Sequence, residues 1–145
     1  MDTLINDISL NDENELTTLS VLAECGNAKA QYRLALRFKN GQGVTRSDVK
    51  ALEWLHVSAS NGYACAQYDL GELYRWGQLV KLNYLTAACW YEKAALQNHP
   101  RALYALGWLY ENGRGVAQNK NQAARYFKAA WQRGVVDAKL HLKRL

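Results

Sequence analysis

The run Ala66-Gln67-Tyr68-Asp69-Leu70-Gly71-Glu72-Leu73-Tyr74 decides the fold, because it returns 36 residues later as Ala102 to Tyr110 and has a counterpart 36 residues earlier. Ala30, Ala66, Ala102 and Ala138 are in step, as are Tyr32, Tyr68 and Tyr104, Leu34, Leu70 and Leu106, and Gly41, Gly77 and Gly113. Beyond the run, the same spacing links Val44, Val80 and Val116, and Ala51, Ala87 and Ala123, with no insertion or deletion. A fixed period of this length means stacked copies of one supersecondary unit, none of which can bury its apolar face alone.

Within each period, residues 27–40, 63–76 and 99–112 place apolar and small residues at helical spacing, as in Ala66, Leu70, Leu73 and Tyr74. Each such helix A ends at a glycine, the residue that enters the left-handed C-terminal position without steric penalty. Ser47, Asn83 and Asn119 then recur as N-caps of a helix B. Helix B carries Ala51, Trp54 and Ala59, then Ala87, Trp90 and Ala95, then Ala123, Tyr126 and Ala130. Gly62, Asn98 and Gly134 end these helices. The alanines allow close approach, and Trp54, Trp90 and Tyr126 are expected to fill the groove beside them.

Three stretches carry a family likeness: residues 66–74, the loop Gly113-Arg114-Gly115-Val116, and Ala87-Ala88-Cys89-Trp90-Tyr91-Glu92-Lys93-Ala94-Ala95. Together they resemble the Sel-1-like repeat, a relative of the tetratricopeptide repeat with a longer loop between its helices. The resemblance runs from about Leu16 to the C-terminus. It implies an all-α, right-handed α-solenoid of antiparallel helix pairs, with three full repeats (27–62, 63–98, 99–134) and capping helices at both ends. Residues 15–145 then form one solenoid domain, with 135–145 as the C-terminal cap, preceded by an acidic arm at 1–14.

Departures are local. Leu79 replaces the second loop glycine of repeat two, so that loop is expected to take another path. Ala35 stands where the later repeats have Gly71 and Gly107, and Trp131 takes the place of Ala59 and Ala95, which suggests altered packing near the end of the stack. Glu15 to Gly26, with Leu16, Leu19, Leu22 and Ala23, matches the tail of a helix B, and Val135 to Leu145 matches a helix A without its partner. Polar outer faces on such caps keep a solenoid from growing end to end.

A chain of 145 residues can bury roughly two thirds of its unfolded surface, so neither metal nor disulfide is required. Residues 1–7 lack the basic start and apolar core of a signal peptide, and no stretch is long enough to span a bilayer, so the expected address is cytoplasmic. Cys25, Cys65 and Cys89 are odd in number and out of register with the repeat, unlike the regular pairs of secreted relatives. They are read as reduced structural thiols.

Charge is uneven. The net value is +5, yet the residues before Cys25 hold six acids and no Lys or Arg, leaving 18 bases against seven acids in the remainder. An acidic partner segment, the acidic arm itself, or solvent alone can answer such a surface. The arm is either a loose segment or a strand-like cover over the basic groove.

By the tetratricopeptide likeness, helix A lines the concave face. The inward residues are then Lys29, Tyr32, Leu36, Lys39 and Asn40; Cys65, Tyr68, Glu72, Arg75 and Trp76; and Arg101, Tyr104, Trp108, Glu111 and Asn112. Tyr32, Tyr68 and Tyr104 form either a ladder along the groove or part of the packing. Trp76 and Trp108 are more telling, because their equivalents are Asn40 and Asn112, and Leu36 and Glu72, so the stack requires Trp at neither place. Large aromatics beside Arg75, Arg101 and Glu72 have the composition of a binding hot spot.

The leading expectation is a protein-protein interaction module that holds a protein or peptide in its groove, as adaptor, regulator or dedicated inhibitor, with no catalytic residue, cofactor or metal. The family resemblance implies a bacterial source. Two other classes compete with it. Some relatives have been linked to β-lactam hydrolysis, but His56, His99 and His141 share no helical face with an acid or Cys at catalytic or metal-ligand spacing, and Ser58 and Ser60 beside His56 cannot build a triad on one helix. Nucleic-acid binding needs clustered bases, whereas Arg33, Arg37, Lys50, Lys81, Lys93, Lys120, Arg125, Lys128 and Arg133 are dispersed.

Overall fold

The computed structural model describes residues 12–145, and the arm expected at 1–14 lies almost wholly outside them. The chain divides into two compact units, one ending at Asn61 and one beginning at Gly62. Among the described residues all regular structure is helical.

The first unit contains α1 (Asp12–Glu24), α2 (Ala28–Asn40) and α3 (Asp48–Ser60). Leu19 and Ala23 of α1 pack with Ala30 and Leu34 of α2, bordered by Leu16, Phe38 and Trp54. Leu22, which shares the spacing of Leu19, is exposed. Asn27 caps α2 by accepting from the Ala30 N–H at 2.9 Å, and Ser47 caps α3 through the Lys50 N–H at 3.2 Å. Two buried polar groups join the helices. Gln31 Nε2 donates to the Ala23 carbonyl at 2.9 Å while its Oε1 accepts from Asn61 Nδ2 at 2.9 Å, and Ser58 Oγ donates to the Ala28 carbonyl at 2.6 Å.

The second unit contains α4 (Ala64–Trp76), α5 (Tyr84–Leu96), α6 (Pro100–Asn112), α7 (Lys120–Gln132) and α8 (Ala138–Arg144). Each helix packs on its neighbours along the chain, around a core that includes Tyr91, Leu106, Leu109, Phe127 and a run of alanines. Asn83 and Asn119 cap α5 and α7 through the N–H groups of Thr86 and Gln122, each at 3.0 Å. Helices α2, α4 and α6 end at Gly41, Gly77 and Gly113 with φ of 66, 63 and 62°, and Gly62, Asn98 and Gly134 also have positive φ, as the cap reading requires.

Two expectations are corrected. The residues that fill the space between paired helices are Leu55, Tyr91 and Phe127, all buried, rather than Trp54, Trp90 and Tyr126 one position earlier. One residue is 100° of helical rotation, enough to swing those three aromatics to the half-exposed flank. There Trp90 carries Lys93 Nζ at 4.4 Å from its centroid, and Tyr126 stacks on Tyr110 at 5.6 Å. The seat for the buried knob is the helix A glycine. A methyl on Gly71 would overlap the Tyr91 ring, and one on Gly107 would lie 2.8 Å from Phe127. In the first repeat the equivalent pair is Ala35 and Leu55, where a smaller knob goes with a larger seat.

The loop of repeat two does not take another path. Leu79 has φ of 60°, beside 72° and 70° at Gly43 and Gly115. All three loops close with the same bond, from Ser47, Asn83 and Asn119 N–H to the carbonyls of Phe38, Tyr74 and Tyr110 at 2.9 Å. The repeat geometry therefore overrides the steric cost of a Cβ in left-handed backbone. Trp131 is partly exposed at the end of α7, with Lys139 Nζ at 5.1 Å from its ring, so the side chain there lies over the cap instead of entering the core.

Gly71→Ala is expected to lower unfolding free energy by about 1–3 kcal/mol through overpacking, and adding Tyr91→Leu should restore part of that loss by recreating the Ala35–Leu55 combination, as read by urea titration of both variants. Leu79→Gly should raise stability by roughly 0.5–1 kcal/mol, because relief of left-handed strain outweighs the added freedom of the unfolded chain. A midpoint that falls instead would show that the Leu79 side chain contributes contacts larger than the strain.

Candidate functional site

The predicted inward residues separate by unit. In the first, Lys29, Lys39 and Asn40 are exposed and Tyr32 is half-buried. Leu36 turns toward α1, lining a shallow pocket with Glu15, Leu19, Arg33, Arg37 and Gln42, across which Arg37 pairs with Glu15 at 3.0 Å.

In the second unit, Tyr68, Glu72, Arg75, Trp76 and Trp108 converge. The Arg75 guanidinium carbon lies 4.8 Å from the Trp76 ring centroid and 4.3 Å from that of Trp108, so the cation is held between two indoles. Its side chain is only 11 % exposed, and its Nε has no hydrogen-bond partner among the described residues. Glu72 organises the group from the other side. It accepts from the Tyr91 hydroxyl and, at 3.1 Å, from Trp76 Nε1, and lies 3.8 Å from Arg75 Nη1. Burial first, and then the bond to Glu72, hold the Tyr91 phenol far above its ordinary range, so it remains a donor. Trp76 keeps 58 % of its surface exposed despite these contacts. Cation–π attraction strengthens as water is removed, so covering Trp76 with a ligand would tighten the same sandwich.

Tyr68 stacks on His99 at 4.8 Å and lies 5.9 Å from the Tyr91 ring. Tyr104 is drawn into a different cluster. Its hydroxyl is 3.0 Å from His141 Nε2, while His141 Nδ1 donates to Glu111 at 2.7 Å and the imidazole stacks on Phe127 at 4.4 Å. Glu111 therefore anchors α8 and does not extend the Arg75 group. Asn112 donates to the Trp108 carbonyl at 2.8 Å and Arg101 is exposed. The parts that sequence reasoning missed are Tyr91, the deep partner of Glu72, and Tyr84, whose ring lies 6.4 Å from Trp108. Both sit on helix B, and a reading confined to helix A could not reach them.

Among the described residues no group of His, Cys, Asp or Glu is arranged to hold a metal ion, and no helix is long and apolar enough to cross a membrane. Ser58, the serine nearest His56, is fully buried with its hydroxyl donated to a carbonyl.

Helix pairs that repeat their caps, loop closures and knob positions define an α-helical repeat protein. The Sel1 repeat model matches residues 28–63, 66–99 and 100–135, and the chain belongs to that family. A Sel1 repeat protein from Oxalobacter formigenes is 35 % identical and superposes with a TM-score of 0.88 over 90 % of this chain and 98 % of its own. The protective antigen c5321 of uropathogenic Escherichia coli, which displays an SLR fold, is 36 % identical with a TM-score of 0.79, over 85 % of this chain and 26 % of its own. Helicobacter pylori cysteine rich protein B is 26 % identical with a TM-score of 0.64, over 86 % of this chain and 92 % of its own. No curated protein matches the chain in sequence. The fold is thus the all-α solenoid class of these repeats, which generally act as protein-interaction scaffolds and are typically not enzymes.

His99 gives the site a pH dependence. As N-cap of α6, its Nδ1 accepts from the Ala102 N–H at 3.2 Å, which requires a neutral ring. Burial and then Arg101 lower its pKa below 6.5. The unfolded chain thus takes up this proton first, so the stabilisation is complete above the unfolded value and is lost as pH falls from there through the lower folded value. His99→Asn keeps an acceptor that does not titrate there, as Asn27 does in α2. Urea titrations at neutral and mildly acidic pH should show the variant losing less stability than wild type, by about 0.5–1 kcal/mol.

Proposed function

We propose that this protein holds a segment of a partner protein on the exposed face of its A helices, with the Trp76–Arg75–Trp108 sandwich as anchor. The observation that carries the reading is a largely buried guanidinium clamped by two indoles, one of them mostly exposed, where the sister repeats place Asn, Leu and Glu for the tryptophans and Lys and Glu for the arginine. Nothing in the repeat geometry calls for this group, and its aromatic and arginine composition is that of interface hot spots. A partner's apolar side chain would cover Trp76, and its carboxylates would pair with the exposed Arg101. Tyr68, Glu72, Arg101 and Asn112 on α4 and α6 extend the proposed face of the second unit, and Lys29, Tyr32 and Lys39 on α2 offer contacts on the first unit taken by itself.

In this role the chain is an adaptor, regulator or dedicated inhibitor, and catalysis plays no part. The unpaired cysteines, two of them exposed and none in register with the repeat, support a reducing, cytoplasmic setting. The three relatives that superpose come from bacteria, which supports a bacterial source.

The test is capture from a lysate of the source organism with the wild-type chain and with a Trp76→Ala, Trp108→Ala variant of verified helicity. At least one protein should bind the wild type alone, with affinity reduced about 30-fold or more by the double substitution. Equal capture by both baits would place binding elsewhere on the molecule.

A further inference from the structure

Beside the anchor, the second repeat differs from its sisters along one edge. Trp76, Leu79, Leu82 and Leu85 occupy positions held by Asn40, Gly43, Arg46 and Val49 in the first repeat, and by Asn112, Gly115, Gln118 and Asn121 in the third. Seven of those eight equivalents are polar or glycine. The four apolar side chains are 58, 51, 49 and 61 % exposed, so they serve no core. They belong to one edge of the unit: Leu82 Cβ would lie 3.0 Å from a Cβ on Gly77, and the backbone of Tyr84 and Leu85 is packed on Gly115. Leu79 holds left-handed backbone where both sisters use glycine, a conformation a side chain adopts only at a steric cost. A stack under no other demand would place glycine there and polar residues around it.

We infer that residues 76–85 form a docking surface for a partner segment that interleaves apolar and acidic side chains. The charge of the rim selects that chemistry. Exposed Lys81 lies within the loop, exposed Arg114 stands 5.9 Å from the Tyr84 ring, and Arg75 underlies Trp76. Nearby carboxylates are already engaged, Glu72 with Tyr91 and Trp76, and Glu111 with His141. Residues 62–145 as a whole carry 12 Lys and Arg against five Asp and Glu, so two copies brought together on this edge would meet like charge, whereas an acidic segment would meet complementary charge. Apolar side chains of the partner cover Leu79, Leu82, Leu85 and the outer face of Trp76, and its carboxylates reach Lys81 and Arg114. The surface adjoins the proposed A-helix face and shares Trp76 with it, but its other members lie in the loop and on α5.

The third repeat supplies a variant whose fold is already exemplified: Leu79→Gly, Leu82→Gln, Leu85→Asn. A displayed library of random short peptides, selected on the wild-type chain, should yield peptides in which Asp or Glu alternates with Leu, Ile or Phe. These should shift the Trp76 indole and the backbone amides of residues 77–86 in nitrogen-15 spectra, and bind the triple variant about tenfold or more weakly. Selection without enrichment of such peptides, or equal binding to the variant, overturns the inference. Peptides that bind the triple variant as well as wild type but are lost with Trp76→Ala, Trp108→Ala overturn it and leave the A-helix reading standing. A concentration-dependent dimer in sedimentation, abolished by the triple variant, would replace the acidic partner with a second copy.

Discussion

The contact on which the second unit depends is the edge of an aromatic ring against a bare helical backbone. Tyr91 and Phe127 reach the core only because Gly71 and Gly107 carry no Cβ, and the ring then fixes how near the two helices of a pair can come. Once that spacing is set, Ala87, Ala94, Ala102, Ala123 and Ala130 suit the crossing and are almost fully buried. The pair formed by Ala35 and Leu55 follows the same rule with the volumes exchanged. A repeat protein can vary its knobs in this way because each hairpin must match only its neighbours.

The same contact links packing to the exposed face. Tyr91 is the core knob of the second repeat, and its hydroxyl emerges beside α4 to bond Glu72. Glu72 then orients Trp76, and Arg75 settles between Trp76 and Trp108. In the third repeat the knob is Phe127, which has no hydroxyl to offer; the acid there is Glu111, on α6, and it turns to His141 on the C-terminal cap. The two repeats differ at each of these positions, with Glu72, Arg75 and Trp76 in the second standing where the third has Trp108, Glu111 and Asn112, so the polar residues of one organise a surface and those of the other hold a terminal helix.

Much of this was legible because a repeat carries its own controls. Glycine, serine and asparagine at fixed positions located most of the helix ends, since these types do there what others do poorly, although His99 caps α6. Trp76 and Trp108 stood out for the complementary reason, as large residues the period does not require. The apolar edge at Leu79, Leu82 and Leu85 was open to the same comparison. By sequence Leu79 reads as a change of loop path, whereas the structure keeps the path and leaves the side chain on the surface. The buried knob is harder to read, because Trp54 and Trp90 are larger than Leu55 and Tyr91, and size alone does not say which way a helical side chain points.

What the sequence by itself determined is the periodic part: helix pairs, their ends, the loop register and the family, all consequences of local backbone preference repeated at constant spacing. What only the tertiary structure decided is which side chains are spent on one another. Tyr104 and Glu111 share the helical face of Tyr68 and Glu72, yet they are taken up by His141, some 30 residues or more away in sequence. Arg75 acquires its place between two indoles from two different helices. Such pairings depend on the distance and orientation between helices, which packing sets and which no single helix encodes.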